Sequence, residues 1–261
     1  MIELIIVISI AGIVATSIAM FLKSPVFSYD QTAKRAELAD EAYLLIKKIK
    51  QDVRWSLPNS VRVSQVGNKY FLEMLTVSGG GKYRSQNNSA GTGDILDFTT
   101  TDTSFDILSP GLTFKGGEKI VVANMGSPSF DAYSNNNMTN YTGSTNIIVN
   151  KVTMSSIKFP LEAVNENFYV VDKVVSYVCD KDAKTLSKYW GYPISSSQPT
   201  NTTGVPLISG SSTLIAKNIT DCSFLYDQGG NTRNGVVSIM FKLGNTAQTA
   251  TLYGETYVPN T

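Results

Sequence analysis

The first constraint on this chain is an apolar run at its start. Residues 2–22 comprise 21 amino acids in which Glu3 is the only charged side chain, and Lys23 is the first basic residue. At a rise of 1.5 Å per residue, a helix of this length is about 30 Å long, which matches the hydrocarbon core of a bilayer. A secretory signal peptide would have a basic start, a shorter apolar core and a small-residue cleavage site, and none of these is evident. The run therefore predicts a transmembrane helix.

Glu3 is the residue of this run that most needs an explanation. An ionised carboxylate inside the boundary of a bilayer is costly unless it is paired or reaches water. Two interpretations stay open. Either the carboxylate rests in the headgroup layer at the end of the helix, or a cation from another chain meets it, which would make Glu3 an assembly residue.

A second helical pattern follows the apolar run. Apolar residues at three- and four-residue steps lie on one face of a helix from about Gln31 to Leu57, which Pro58 stops. Pro25 lacks an amide donor and is expected to bend or interrupt the rod near the membrane exit. The economical prediction is one long helix over residues 1–57, whose amphipathic half needs a surface to cover. The apolar positions of that half are Leu38, Ala42, Leu45, Ile46, Ile49 and Val53.

The character of the sequence changes after Pro58. Short runs rich in Val, Ile, Tyr and Phe predict strands, and over 237–243 apolar and polar residues alternate, as a strand with one buried face requires. No second long helix is evident, so we expect an α+β fold in which an antiparallel sheet of the 58–261 head packs against the amphipathic half of the helix. Three long polar segments, expected to be loops, begin at Ser78, Gly126 and Ser195. The predicted strands span 60–66, 69–77, 94–100, 118–125, 146–154, 167–180, 185–190, 213–220, 222–227, 235–243 and 249–258.

Composition argues against several classes of function. The chain contains no His, so Ser-His-Asp and Cys-His nucleophile systems and the common His-containing zinc sites cannot be built from it alone. Its net charge of +1 gives no basic footprint for nucleic acid. We therefore expect a structural or binding protein and not an enzyme, with no metal, no cofactor and no nucleic-acid partner.

Cys179 and Cys222 are the only two cysteines. Each lies in or beside a predicted strand, and a disulfide between them would close a loop of roughly 44 residues and stabilise the fold by about 4 kcal/mol on the chain-entropy estimate. Such a bond would place the head in an oxidising compartment, such as a bacterial periplasm or cell surface. Two unrelated buried thiols are the alternative.

An aromatic cluster in the head is a candidate ligand surface. Tyr189, Trp190 and Tyr192, with Tyr169 and Tyr177 earlier in the chain, are residue types that bind sugars, although aromatic side chains in strands are more often part of a core. The cluster carries a second functional hypothesis, a membrane-anchored periplasmic carbohydrate-binding protein or adhesin.

The first residues resemble the signal segment of type IV pilins and type II secretion pseudopilins. The matching stretch is MIELIIVI at 1–8, followed by Ala-Gly-Ile at 11–13. In that family the stretch follows a Gly-Phe-Thr junction, so the resemblance implies that prepilin peptidase cuts before a Phe two residues upstream of Met1 and that this Phe is N-methylated. It also implies that Glu3 pairs with the N-terminal amine of a neighbouring subunit. The basic leader and the junction are not in the sequence, so we expect Met1 to be an internal methionine taken as the start, or the result of trimming.

Short matches elsewhere extend the resemblance to minor pilins of the mannose-sensitive haemagglutinin (MSHA) pilus. They lie at 55–63, 175–179, 221–224 and 255–260. The related J-type pseudopilins of type II secretion share the size and the helix-plus-sheet plan. Either relation implies a helix whose second half packs on an antiparallel sheet, which agrees with the pattern of the residues.

The resemblance also implies a location and partners. A minor pilin is a single-pass protein of the bacterial inner membrane with a periplasmic head, and later lies in the pilus at the cell surface. Its partners are inner-membrane lipid, prepilin peptidase, the assembly platform, and the other minor and major pilins that it meets through helix packing. Counting Lys and Arg beside the apolar run would put the head inside the cell. The expected disulfide and the resemblance override that count.

Overall fold

The computed structural model of the chain describes residues 2–229, 234–245 and 248–259. Met1 and Asn260, which belong to the matched sequence segments, lie outside the described residues. Every strand pair within these ranges is antiparallel, and with the long helix this gives the expected α+β class. The strands are β1 Arg62–Val66, β2 Lys69–Lys82, β3 Asp102–Asp106, β4 Leu112–Thr113, β5 Lys119–Val122, β6 Met138–Asn140, β7 Ile148–Val149, β8 Lys151–Ile157, β9 Asn167–Asp180, β10 Thr185–Trp190, β11 Ser211–Lys217, β12 Ile219–Asp227, β13 Val236–Gly244 and β14 Thr249–Tyr257, and two 3-10 turns span Ala132–Ser134 and Leu207–Ser209.

One helix, α1, spans Ile2–Arg54 and contains 53 residues. We expected Pro25 either to bend or to interrupt this helix. The helix continues through Pro25, so the interruption is absent. The proline removes the amide that would bond to the carbonyl of Phe21, and the expected bend stays a prediction. The helix ends before the predicted Leu57, because the amide of that residue donates to the carbonyl of Leu75 in β2 at 2.7 Å.

The two longest strands, β2 and β9, form the spine of the head. They pair from Lys69 opposite Asp180 to Lys82 opposite Asn167. At about 3.3 Å per residue, such strands span roughly 45 Å. β1 pairs with the other edge of β2, whereas β10 flanks the second half of β9 and β5 flanks the first half. β11 pairs with β10, and β6 with β5, which completes the main sheet.

The three-stranded C-terminal sheet has the order β12-β13-β14. Val237, Ile239, Phe241 and Leu243 of β13 are buried, which confirms the alternation predicted from the sequence. These side chains pack with α1 and with one face of the main sheet in a single core, called the shared core. The predicted helix face is also confirmed, since Ala42, Leu45, Ile46, Ile49 and Val53 are buried in this core and Leu38 packs against it.

The predicted disulfide between Cys179 and Cys222 is present. It joins β9 of the main sheet to β12 of the C-terminal sheet, and both cysteines are fully buried in the shared core. The bond therefore links the two sheets that enclose the core on which the second half of α1 packs.

The prediction of a loop beginning at Ser78 is wrong for its first five residues. Residues 78–82 continue β2, because they pair with the first residues of β9. The glycines of this segment suit the close approach of the two chains, since a Cβ on Gly80 would lie 2.7 Å from the carbonyl oxygen of Phe168.

The prediction of a strand over 94–100 is also wrong. The carboxylate of Asp97 accepts a hydrogen bond from the amide of Thr99 at 2.6 Å and another from the hydroxyl of Thr100 at 2.7 Å. These local bonds turn the chain in the way typical of Asp in turns. The strand of this region is β3, which begins two residues later.

Candidate functional site

The first half of α1 is an exposed apolar surface. All its large apolar side chains between residues 2 and 29 are 49% to 79% exposed. By length and composition this helix can span a membrane. An apolar surface of this extent does not persist in water, so lipid or other helices must cover it.

Three hydroxyl groups of the apolar run 2–22 are satisfied within the helix. The hydroxyl of Ser9 donates to the carbonyl of Ile5 at 2.8 Å, and the hydroxyls of Thr16 and Ser17 each donate to the carbonyl of Ile13 at 2.9 Å. A polar group that is satisfied inside its own helix costs little in an apolar environment. These hydroxyls are therefore compatible with lipid or with a helix bundle.

Glu3 carries the one charge in the apolar run 2–22 of α1, and it lies in the first turn of the helix. Among the described residues it forms no ion pair and no side-chain hydrogen bond. The first cation along the helix is Lys23, which at 1.5 Å per residue lies about 30 Å away. Nothing in the described part of the chain therefore neutralises the carboxylate, so water at the headgroup layer or a cation from outside that part has to accommodate it.

Gly12 has no reason within the described chain to be a glycine. It lies in regular helix, and a Cβ added to it would meet nothing within 4 Å. A glycine in a helix interior is less favourable than alanine by about 1 kcal/mol. Thr16 follows one turn later, and pairs of small residues four apart let two helix backbones approach closely in a membrane. This position therefore suits contact with another helix.

The second half of α1 is fixed to the head by a polar contact as well as by the shared core. Asp52 forms an ion pair with Lys188 of β10, and its carboxylate accepts a hydrogen bond from the hydroxyl of Tyr177 in β9 at 2.7 Å. Burial, and then the charge of Asp52, raise the pKa of Tyr177, which keeps its hydroxyl protonated as the donor. The head is thus held at the end of α1 that lies farthest from Glu3.

The structure separates Trp190 from the other two aromatic residues of the candidate ligand surface, Tyr189 and Tyr192. Tyr189 packs against the core on one face of the main sheet, and Trp190 packs against the shared core on the other. Tyr192 is buried, with 3% of its surface exposed. Since successive side chains of a strand point to opposite faces, the sequence itself separates Tyr189 from Trp190. The three side chains therefore form no common exposed surface.

A buried polar network, which sequence reasoning missed, surrounds the end of Tyr192. Glu73 is fully buried, pairs with Arg62 and accepts a hydrogen bond from the hydroxyl of Tyr192 at 2.7 Å. The same guanidinium donates to the carbonyls of Ser195 and Ser196 at 2.8 and 2.7 Å. The network ties the loop after β10 to the main sheet. Its one signal in the sequence is an acidic residue in the middle of an apolar strand.

No cluster of three His, Cys, Asp or Glu side chains that could hold a metal ion occurs among the described residues. Comparisons with protein family models, curated proteins and solved structures find no match to this chain. The geometry of α1 and the resemblance of its first residues are therefore the basis for a functional proposal.

Proposed function

We propose that this chain is a minor pilin that joins a tip or initiation complex and primes assembly of a type IV pilus, with MshO of the MSHA pilus as the member it most resembles. The observation that carries the proposal is the exposed apolar half of α1, with the carboxylate of Glu3 in its first turn and no compensating cation in the described part of the chain. A plain membrane anchor needs the apolar surface but has no use for a charge within it.

The mechanism is helix packing. Before assembly the apolar half of α1 lies in the inner membrane, and the head lies in the periplasm, where the Cys179–Cys222 disulfide is stable. On assembly the same surface exchanges lipid for the helices of neighbouring subunits, with Gly12 at a point of close approach. Glu3 then neutralises the N-terminal amine of a neighbour in a low-dielectric surrounding, where a charge pair is strong and an unpaired charge is costly.

The head contributes by selecting neighbours. The described residues of the head form four sheets and contribute to three buried clusters, which makes the head bulky for a subunit that repeats along a shaft. A low-copy position at the tip accommodates such a head. The J-type pseudopilin of type II secretion remains the second member of the same superfamily that fits the plan, and the phenotype of a deletion strain separates the two.

The test is a pair of matched substitutions on α1. Glu3→Ala removes the carboxylate from the apolar half, whereas Glu37→Ala removes an exposed carboxylate from the amphipathic half. An uncompensated amine in the filament core costs several kcal/mol, so we expect surface filaments to fall by at least about tenfold for Glu3→Ala. Filaments sheared from cells would be quantified by immunoblot of the major subunit, and protease resistance would report on the head.

Three outcomes separate the alternatives. Loss of filaments with an intact head in Glu3→Ala and normal filaments in Glu37→Ala supports a pilus subunit. Normal filaments with impaired protein secretion would assign the chain to a type II secretion system. Normal filaments and normal secretion in Glu3→Ala would refute the proposal and direct attention to a membrane-anchored binding protein, which a glycan screen of the membrane-extracted chain would test.

A further inference from the structure

β14 is a sheet edge whose outer backbone groups have no partner among the described residues. It pairs only with β13, and beyond the strand the amide of Val258 donates to the carbonyl of Gly235 at 2.9 Å. In an antiparallel pair, the backbone N–H and C=O groups of successive residues point alternately towards the partner strand and away from it. Since Val258 bonds to the β13 side, the even-numbered residues of β14 face β13, and the backbone groups of Thr251, Tyr253 and Glu255 face the open edge. Among the described residues, no hydrogen bond reaches these outward amides and carbonyls.

Several common protections of an edge strand are missing from β14. Natural edges are blunted by shortness, proline, bulges or a lysine on the strand. β14 has nine residues, its pairing with β13 shows no register shift, and its sequence TATLYGETY contains neither proline nor lysine. By contrast, the pairing of the edge strand β11 with β10 contains a bulge, and β11 ends at Lys217. The open edge of β14 is therefore a template for another strand.

A groove runs between this edge and α1. Its volume is about 480 Å³, and Leu252, Tyr253 and Gly254 of β14 form one wall. The opposite wall is formed by α1 and the residue after it. It includes the aromatic side chains of Tyr43 and Trp55, which are 57% and 62% exposed. An added strand would therefore gain apolar contacts as well as backbone hydrogen bonds.

The α1 wall of the groove is cationic. Lys47, Lys50 and Arg54 line it, and none of them forms an ion pair within the described part of the chain. No acidic side chain lines the groove. Pairing of two β14 edges from two copies of this chain would bring both sets of cations towards one interface, which is unfavourable because like charges repel. The charge therefore favours an acidic partner over a second copy.

We propose that the groove binds an extended acidic segment of another protein, which adds to β14 as a fourth strand of the C-terminal sheet. Main-chain hydrogen bonds to Thr251, Tyr253 and Glu255 supply affinity, and acidic side chains on the α1 side of the added strand pair with Lys47 and Lys50. The groove lies between the head and the amphipathic half of α1, so the inference does not depend on the assembly role of the apolar half.

The test uses the full chain in lipid nanodiscs and two acetylated nine-residue peptides, one alternating Glu with Val and the other alternating Lys with Val. Amide hydrogen exchange is measured by NMR with each peptide. We expect the Glu-Val peptide to slow exchange at Thr251, Tyr253 and Glu255 by at least about tenfold. The even-numbered amides of β14, already bonded to β13, should change little, and the Lys-Val peptide should have no effect.

Charge reversal supplies the specificity control. A triple variant with Lys47→Glu, Lys50→Glu and Arg54→Glu should lose the protection by the Glu-Val peptide and gain protection by the Lys-Val peptide. Lys48→Glu is the matched control, because Lys48 lines a different cleft, beside Trp190. It should behave as the unmodified chain, and an unchanged amide spectrum of the head checks that each variant is folded.

Several results would overturn the proposal. Equal protection by both peptides, or no protection by either, would contradict an acidic strand as the occupant. Protection of β14 without peptide that grows with protein concentration would identify a second copy instead. Protection without peptide that depends on anionic lipid in the nanodisc would identify a membrane surface.

Discussion

The burial of Ile49 supports a quantitative prediction about the contact between α1 and the head. Ile49 is fully buried in the shared core. Ile49→Ala removes three carbons, and at about 0.8 kcal/mol per methylene the lost transfer free energy is about 2.4 kcal/mol. The cavity left behind adds roughly 1 kcal/mol. We therefore expect the free energy of unfolding of the head to fall by about 3 kcal/mol, in the range of other core truncations.

The control is a truncation on the other face of the same helix. Leu44 is 61% exposed, so Leu44→Ala should change the free energy of unfolding by less than about 0.5 kcal/mol. Urea unfolding of the full chain in nanodiscs, followed by tryptophan fluorescence, measures both variants. The two tryptophans are Trp55, directly after α1, and Trp190, which packs against the same core. Equal losses for the two variants, or a loss below about 1 kcal/mol for Ile49→Ala, would refute the packing of α1 described above.

Two further predictions concern the interior of the head. Replacing both Cys179 and Cys222 by Ala should lower the free energy of unfolding by about 4 kcal/mol, because their disulfide closes a long loop in the unfolded chain. A loss below about 1 kcal/mol in urea unfolding would contradict this. Burial raises the pKa of Glu73 above 4.5, more than Arg62 and Tyr192 lower it. A carboxyl group with a raised pKa contributes stability below pH 4.5, and this stability is lost as the pH rises through the pKa of the folded state. The unmodified chain should therefore lose stability relative to Glu73→Gln as the pH rises from 4.5. Parallel pH profiles of the free energy of unfolding for the two chains would contradict this.

Sequence patterns predicted those elements in which one side of the element is buried. The steps from Ala42 to Val53 predicted the buried face of α1, and the alternation over 237–243 predicted that of β13, because burial on one side imposes the period of the element on the sequence. The disulfide was predictable because only two cysteines exist and both lie near strands.

Features that depend on a contact with a distant segment of the chain could not be predicted from local sequence patterns. Gly80 has no strand propensity of its own and lies in β2 because β9 pairs with it. Glu73 is buried, and one of its hydrogen-bond donors is the hydroxyl of Tyr192, 119 residues later in the chain. The groove beside β14 follows from the position of α1 against the C-terminal sheet, which no local pattern encodes.

Part of the candidate assembly site on α1 is predictable from the sequence, and part of it is visible only in the structure. The apolar run and the charge of Glu3 are visible in the sequence, and the resemblance to pilins rests on them. The structure adds that this half of α1 has no covering segment in the described chain, and that Gly12 meets no neighbour there. A property of this kind is the absence of a contact, so it needs coordinates.

The most direct test of the pilin proposal is the N-terminus of the native protein extracted from membranes. N-terminal sequencing and intact mass would be compared between the parent strain and a strain that lacks prepilin peptidase. We predict an N-methylated phenylalanine two residues before Met1 in the parent strain, and its absence in the deletion strain. The same unmethylated N-terminus in both strains would contradict the proposal and would mean that α1 is a plain membrane anchor.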